Sequence, residues 1–312
     1  MRIFFGGKGG VGKTTISAVF ALLCARSRPT LIVSTDPAHS LSDLFGVKIG
    51  GKTRPIPLPE NFRGALSALE LDPERALKQY EESLLRRVQR LNLHLDFDVR
   101  AYIRKLAATP GSQEMALFDA FADLLLAEEE RHIVFDTAPT AATFNLLQTA
   151  ALIDQWIAIL LKARKGILKL KEYYGQPAAD DQMIRELQAM KQRFEKVERL
   201  LKAGDTHFVL VLNPEKLPVE ETRRSLQFFR ANHLPLRGLV VNRIWPSDES
   251  LPAALRGYQS KYLDIIRGEW KELLLAEVPW WTREPQGLPN LLPLTEFLAQ
   301  TPLAALLTEE PG

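Results

Sequence analysis

The chain has 312 residues, 46% of them hydrophobic and 25% charged, with a formal net charge of +2. That length and balance suit one large domain or a domain carrying a sizeable insertion, and the charge gives no nucleic-acid or membrane signature. A lone cysteine, Cys24, excludes a disulfide framework or a cysteine-cluster metal site within one chain, and a reducing cytoplasm is the expected compartment.

RIFFG (2–6) opens the chain as a short apolar run, and GKGGVGKT (7–14) follows it with every fixed position of G-x-x-x-x-G-K-[ST]. Glycines let successive backbone N–H groups turn inward around phosphate oxygens, and the start of a helix adds its dipole. Gly7, Gly9, Gly10, Val11, Gly12, Lys13, Thr14 and Thr15 are therefore expected to hold a nucleotide's phosphates. Lys13 supplies charge to the β- and γ-phosphates, and the Thr14 hydroxyl is a ligand for Mg²⁺. A second lysine, Lys8, lies among the glycines, and a phosphate loop alone does not require it. The run ISAVFALLCA (16–25) is too short to span a membrane. It reads as the buried helix that such a loop feeds rather than as a signal peptide.

TLIVST (30–35), GALSALEL (64–71), HIVFDT (132–137), HFVLVLN (207–213) and LRGLVVN (236–242) are further short runs rich in Val, Ile, Leu and Phe. They read as strands buried on both faces, with helical stretches between them. The predicted fold is α/β: a P-loop NTPase with a mainly parallel sheet flanked by helices, its ligand at the carboxyl ends of the strands. Asp136, after the apolar strand HIVF, takes the Walker-B position on the Mg²⁺ side, where a bare strand cap is the plainer reading. The Pro-rich RPIPLPEN (54–61) reads as a connecting loop, and the TEEPG ending as a frayed terminus.

Two long stretches break the rhythm, about 72–130 and 151–204, and are expected to form a helical subdomain within a single ATPase domain spanning 1–312. MALFDAFADLLL (115–126) has a broad apolar face, and Met183, Leu187, Met190, Phe194, Val197 and Leu201 recur three or four residues apart. In LNLHLDFDV (91–99) strict alternation favours a strand while the surroundings favour helix, and both readings stand. The basic run KARKGILKLK (162–171) reads as a solvated helix face, with anionic lipid or a partner as the alternative.

KGGVGKTT (8–15), DPAHSLSDLF (36–45), DTAPT (136–140) and VVNRI (240–244) occur together, with PGSQE (110–114) and VPWWTREPQGL (278–288) beside them. This set resembles the deviant-Walker, signature-lysine ATPases of the arsenite-pump and tail-anchored-protein-targeting family, from Met1 to about Leu288. The resemblance implies a Mg²⁺-dependent ATP hydrolase that cycles between ATP and ADP as a homodimer paired across its nucleotide face. Asp36 matches the aspartate that positions and activates the attacking water on the metal side, along with Thr14 and Asp136. A plain N-cap for SLSDLF is the competing reading. Lys8 matches the lysine that reaches the partner subunit's ATP. Pro139 and Thr140 continue the switch that senses the γ-phosphate.

On the base side the resemblance points to Asn242, Arg243 and Pro279, with a structural hydrogen bond as the alternative for Asn242. GTP-binding phosphate-loop proteins place an aspartate where this chain has Trp245, so ATP is preferred. The implied partners are a hydrophobic client helix, for which the apolar helix faces would form a groove, or an integral membrane protein driven as a pump. A partition-type ATPase acting on DNA or a membrane surface is the rival from another class; the near-neutral charge and acidic carboxyl terminus argue against it, and no specific nucleic acid is expected. The expected location is cytoplasmic, with contact at the membrane periphery. The chain departs from the family where Ala141 and Ala142 replace a glycine and a histidine. The arsenite-binding cysteines and the zinc-bridging CxxC are also missing.

Overall fold

A computed structural model describes the chain except for residues 36–39, 91–97, 110, 128–129, 138–156, 160, 163, 167, 169–172, 174–180, 247–252, 282–284 and 309–312. Asp36, Pro139, Thr140, Ala141, Ala142 and most of the alternating 91–99 stretch therefore lie outside the described residues. The remainder forms two units, one of residues 1–71, 129–143 and 201–312, the other of residues 72–128 and 144–200.

The first unit is built on an 8-stranded sheet in the order β3-β4-β2-β5-β1-β6-β7-β8. Its strands are β1 (Arg2–Gly6), β2 (Thr30–Ser34), β3 (Arg54–Ile56), β4 (Leu66–Glu70), β5 (His132–Asp136), β6 (Thr206–Leu212), β7 (Leu236–Ile244) and β8 (Leu274–Pro279). Every neighbouring pair is parallel except β3 with β4. This is the expected α/β architecture. β2, β5 and β6 are buried along their whole length, which is why their sequences are unbroken apolar runs rather than alternating ones.

Phe4 lies opposite Phe135 on one side and Phe208 on the other. The three rings stack across the strands with centroids 4.5 and 4.8 Å apart. Slipping the register by one residue would turn this aromatic ladder to the wrong face. On the opposite face Phe5 meets Phe20 of α1 (Lys13–Ala25), with ring centroids 5.5 Å apart. α1 touches β1, β2 and β5 as well as α9 (Leu288–Ala299). A helix covered on both sides is apolar all round, and that explains the signal-peptide-like composition of 16–25.

Two strands differ from the sequence expectation. Arg54–Ile56, read as part of a connecting loop, forms an antiparallel strand at the sheet edge. Pro55 cannot donate to a ladder, and an edge position tolerates it because one side of the strand needs no partner. Leu274–Pro279 closes the other edge, with Ala276 and Val278 buried and Glu277 between them. That short alternation was its only sign in the sequence.

The second unit contains α3 (Pro73–Arg90), α4 (Val99–Ala107), α5 (Ser112–Leu126) and α6 (Gln182–Leu201), the last residue of which falls in the first unit. Asp72 caps α3 by accepting from the N–H groups of Glu74 and Arg75, Asp98 caps α4 through Arg100 and Ala101, and Asp181 caps α6 through Met183 and Ile184. Phe118, Phe121, Ala122 and Leu125 of α5 are buried, and Phe118 stacks on Phe194 of α6 at 5.1 Å. Arg193 donates to Asp119 and to Asp123, tying α6 to α5 alongside that contact. The apolar face of 115–126 thus supplies ordinary core, as do Phe194 and Val197. Met183, Leu187 and Met190, nearer the start of α6, are only half-buried.

His132 begins β5 and is 93% withdrawn from solvent, with a relative exposure of 7%. Burial, then the charges of the Met1 ammonium and Arg28, push its imidazole down to about 4. An unfolded histidine binds a proton near pH 6.5, so acid favours the unfolded chain. We expect stability to fall as pH drops from about 6.5 towards 4, by an amount on the order of 3 kcal/mol. His132→Gln should flatten this segment of the stability–pH curve in urea titrations, and an unchanged slope would exclude His132 as its source.

Candidate functional site

The site is built where the central strands end. β1 delivers Gly6 directly into the loop, and Gly12 begins α1 with a φ of 90°. Two glycines are there because no side chain fits. A Cβ on Gly7 would sit 2.1 Å from the Val211 carbonyl oxygen, and one on Gly12 would sit 2.3 Å from Asn242 Nδ2. Gly9 and Gly10 are different: both are exposed, and a Cβ on either would meet nothing within 4 Å. The loop is thus packed against the sheet at its two ends and open in its middle, the shape a phosphate group can enter.

Lys13 is 7% exposed, and its Nζ donates to the Lys8 carbonyl at 3.1 Å. The lysine therefore lies folded back along the inside of its own loop, its cation fixed where phosphate charge would gather. Lys8 is half-buried and Val11 fully buried. Thr15 is half-buried in the first turn of α1. Thr14 Oγ1 faces Ser40 Oγ at 3.4 Å, and Ser40 is the first residue of α2 (Ser40–Phe45).

Asp136 ends β5 at 1% exposure and accepts a hydrogen bond from Ser34 Oγ at 3.3 Å. Its carbonyl accepts from the Thr35 N–H at 3.0 Å, and Thr137 donates through both its N–H and its hydroxyl to the Phe5 carbonyl. The ends of β1, β2 and β5 are therefore laced together beneath the loop. Hydroxyls and a carboxylate are hard oxygen donors, the chemistry that suits Mg²⁺, which binds through a few protein oxygens and completes its shell with phosphate and water. The residues present fit that ion.

On the other side of β1 the Asn242 carboxamide, 7% exposed, donates through Nδ2 to the Val11 carbonyl at 2.8 Å. The Asn213 carboxamide, with its nitrogen turned towards the loop, donates to the same Val11 oxygen at 3.2 Å and to the Asn242 carbonyl at 3.3 Å. Two asparagines at the ends of neighbouring strands thus hold one loop carbonyl. A base contact is expected for Asn242, and in the structure its Nδ2 donates to the loop.

Arg243 takes the left-handed conformation, φ 59°, and its guanidinium lies 5.7 Å from the centre of the Trp280 ring. The buried Gln259, on α8 (Ala253–Trp270), holds this turn from behind by donating to the Arg243 carbonyl and accepting from the Trp245 N–H. Pro279 pairs with Ile244 in the register of β7 and β8, and the Trp280 N–H donates to the Ile244 carbonyl at 2.7 Å. Asn242, Arg243 and Pro279 thus stand at the carboxyl ends of the neighbouring strands β7 and β8, and Asn242 touches the loop. Ser34, Ser40, Asn213 and Gln259 were not foreseen. Only Ser40, inside DPAHSLSD, and Asn213, at a strand's carboxyl end, carried any sequence signal. Cys24 is fully buried, and burial pushes its thiol up, away from the thiolate that a soft metalloid requires.

Residues 1–300 match the family described as anion-transporting ATPase. The putative arsenical pump-driving ATPase 2 of Aquifex aeolicus is 32% identical over 96% of this chain and 99% of its own length. The ATPase GET3B of Arabidopsis thaliana is 32% identical over 92% of this chain and 75% of its own. The ATPase get3 of Schizosaccharomyces pombe is 30% identical over 96% of this chain and 91% of its own.

Proposed function

The chain belongs to the anion-transporting ATPase family and hydrolyses ATP, and on that premise we propose that it works as a Mg²⁺-dependent homodimer whose nucleotide state is passed to a hydrophobic client. The observation that carries the reading is the loop itself, which buries the cation of Lys13 and leaves a second lysine, Lys8, half-buried on its own side. Thr14 and Asp136, with Ser40 beside Thr14, would hold Mg²⁺, which when bound would neutralise charge on the transferred phosphoryl group. Within the chain Lys13 steadies the β- and γ-phosphates, Asp36 orients the attacking water, and the backbone of Gly9 to Thr14 cradles the leaving diphosphate.

The nucleotide-switched homodimer predicts a change of mass. With ATP and Mg²⁺, in an Asp36→Asn form that cannot turn over, light scattering should report a species of twice the 35.2 kDa chain; without nucleotide the dimer should weaken. A mass independent of nucleotide would remove the switch from this reading.

The half-buried Met183, Leu187 and Met190 favour a client over a fixed membrane partner, because methionine-bearing apolar surface adapts to varied helices. A second reading, the motor of an anion pump, is favoured by the likeness to a pump-driving ATPase. Capture with the ATP-loaded Asp36→Asn form separates the two. Assorted hydrophobic segments support the client reading, and one integral membrane protein alone supports the motor. Among the described residues no helix is long and apolar enough to cross a membrane.

A further inference from the structure

Glu70, the last residue of β4, is 1% exposed. Among the described residues its carboxylate accepts three hydrogen bonds from one neighbouring segment. Oε1 takes the Ser42 N–H at 2.8 Å, and Oε2 takes the Ser42 hydroxyl at 2.8 Å and the Gly50 N–H at 3.2 Å. Ser42 Oγ in turn accepts from the Ile49 N–H at 3.1 Å, and the Glu70 N–H donates to the Gly50 carbonyl at 3.3 Å. One carboxylate thereby fixes the first turn of α2 and the loop that leaves it.

α2 has 6 residues. A helix that short is marginal in isolation, so its position is set by outside anchors. Glu70 anchors its start, and the Gly287 N–H, donating to the Leu44 carbonyl at 2.7 Å, anchors its end. The residue at its start is Ser40, whose hydroxyl meets that of Thr14. Ser40 follows Asp36 by four residues in the chain, so the end of α2 that Glu70 holds is the next described point after Asp36. Charged acceptors make stronger hydrogen bonds than neutral ones, and a buried carboxylate is costly unless it is hydrogen-bonded, as both oxygens are here.

We propose that Glu70 is a positioning residue for ATP hydrolysis: through Ser42 it holds Ser40 against Thr14 and fixes the carboxyl-terminal end of the segment that carries Asp36. It does not touch the nucleotide. In Glu70→Gln an amide N–H₂ replaces one of the carboxylate oxygens, bringing a donor up against the donors of Ser42 or Gly50.

The test is Glu70→Gln and Ser42→Ala, each followed by fluorescent-ADP binding in EDTA and in Mg²⁺, by ATP turnover, and by thermal unfolding. Glu70→Gln should bind ADP in EDTA within about twofold of wild type, because the Lys13 half of the site is untouched. Its gain in affinity on adding Mg²⁺ should shrink at least about fivefold, and its turnover should fall roughly 10- to 100-fold. Ser42→Ala keeps the backbone hydrogen bond to Oε1 and should lose turnover by only about 3- to 10-fold. A Glu70→Gln protein that melts earlier yet turns over and responds to Mg²⁺ like wild type overturns the proposal. So does an EDTA-state affinity that falls as far as turnover does. Should Glu70→Gln fail to fold, wild-type turnover and Mg²⁺ response in Ser42→Ala are enough to reject it. The metal arm rests on the Mg²⁺ dependence proposed above. A wild-type chain indifferent to Mg²⁺ would remove that dependence, and Glu70 would then be judged on turnover at unchanged affinity.

Discussion

Asp36→Asn is expected to lower ATP turnover at least about 1000-fold, about 4 kcal/mol in the barrier, while ATP affinity stays within roughly threefold. The described residues on either side of Asp36 are tied to Asp136 and Thr14, the proposed Mg²⁺ ligands. Before it, Ser34 donates to the Asp136 carboxylate at 3.3 Å and the Thr35 N–H donates to the Asp136 carbonyl at 3.0 Å. After it, Ser40 meets Thr14 at 3.4 Å. A carboxylate placed there can accept a hydrogen bond from the attacking water and align its lone pair with the γ-phosphorus. Asparagine keeps the volume but replaces an acceptor with a donor and removes the negative charge. The charge is needed only when the water attacks, so ground-state affinity should survive, and weaker repulsion of the triphosphate can even raise it. Steady-state turnover beside fluorescent-ATP titration decides the matter. Wild-type turnover would reduce Asp36 to a helix cap, and a parallel loss of affinity would make it structural.

How far the sequence could be read depended on where each group finds its partner. β1, β2, β5 and β6 were legible because strands covered on both faces must be apolar throughout, and the loop was legible because its residues serve contiguous backbone geometry. Arg54–Ile56 was not, since a proline within a short run argues against a strand everywhere except at an edge, and edge status is a tertiary fact. Glu70 and Gln259 were invisible for the same kind of reason. Each bonds backbone groups elsewhere in the chain, and a backbone partner leaves no residue type to recognise. Asn242 shows the converse. Its residue type announced a hydrogen-bonding role, but only the structure shows one donor given to Val11.

That clamp changes how the loop is understood. Val11 is the residue between the open glycines and Gly12, and its carbonyl is held by Asn242 and Asn213 from two strands. Gly12 lies so close to Asn242 that a side chain there would displace the same amide. The phosphate loop and the carboxyl end of β7 are therefore one mechanical piece. A purine placed against Asn242, as the expected base contact requires, would bear on the same loop, a physical route from base identity to turnover as well as to binding.

Lys8→Ala is expected to reduce turnover about 100-fold or more, with the affinity of the isolated chain for ADP nearly unchanged, because the loss falls on charge delivered to a transition state across a dimer. Within one chain the site is already served. The Lys13 cation lies inside the loop, donating to the backbone carbonyl of Lys8, so residue 8 supports its own site through its main chain, which alanine preserves. What alanine removes is the half-buried side chain. A subunit-mixing experiment distinguishes delivery to the partner from a role within the chain. Lys8→Ala chains keep Asp36, and Asp36→Asn chains keep Lys8, so each alone forms a dead dimer. Mixed in equal amounts they should pair at random, making about half the dimers mixed, each with a single working site composed of one chain's Asp36 and the other chain's Lys8. Turnover should then recover to roughly a quarter of the wild-type value at equal total concentration. A lysine acting on its own nucleotide predicts no recovery, because no single chain in the mixture has both residues. Recovery must also depend on protein concentration and vanish on dilution below the dimer's dissociation constant, since only association completes the site.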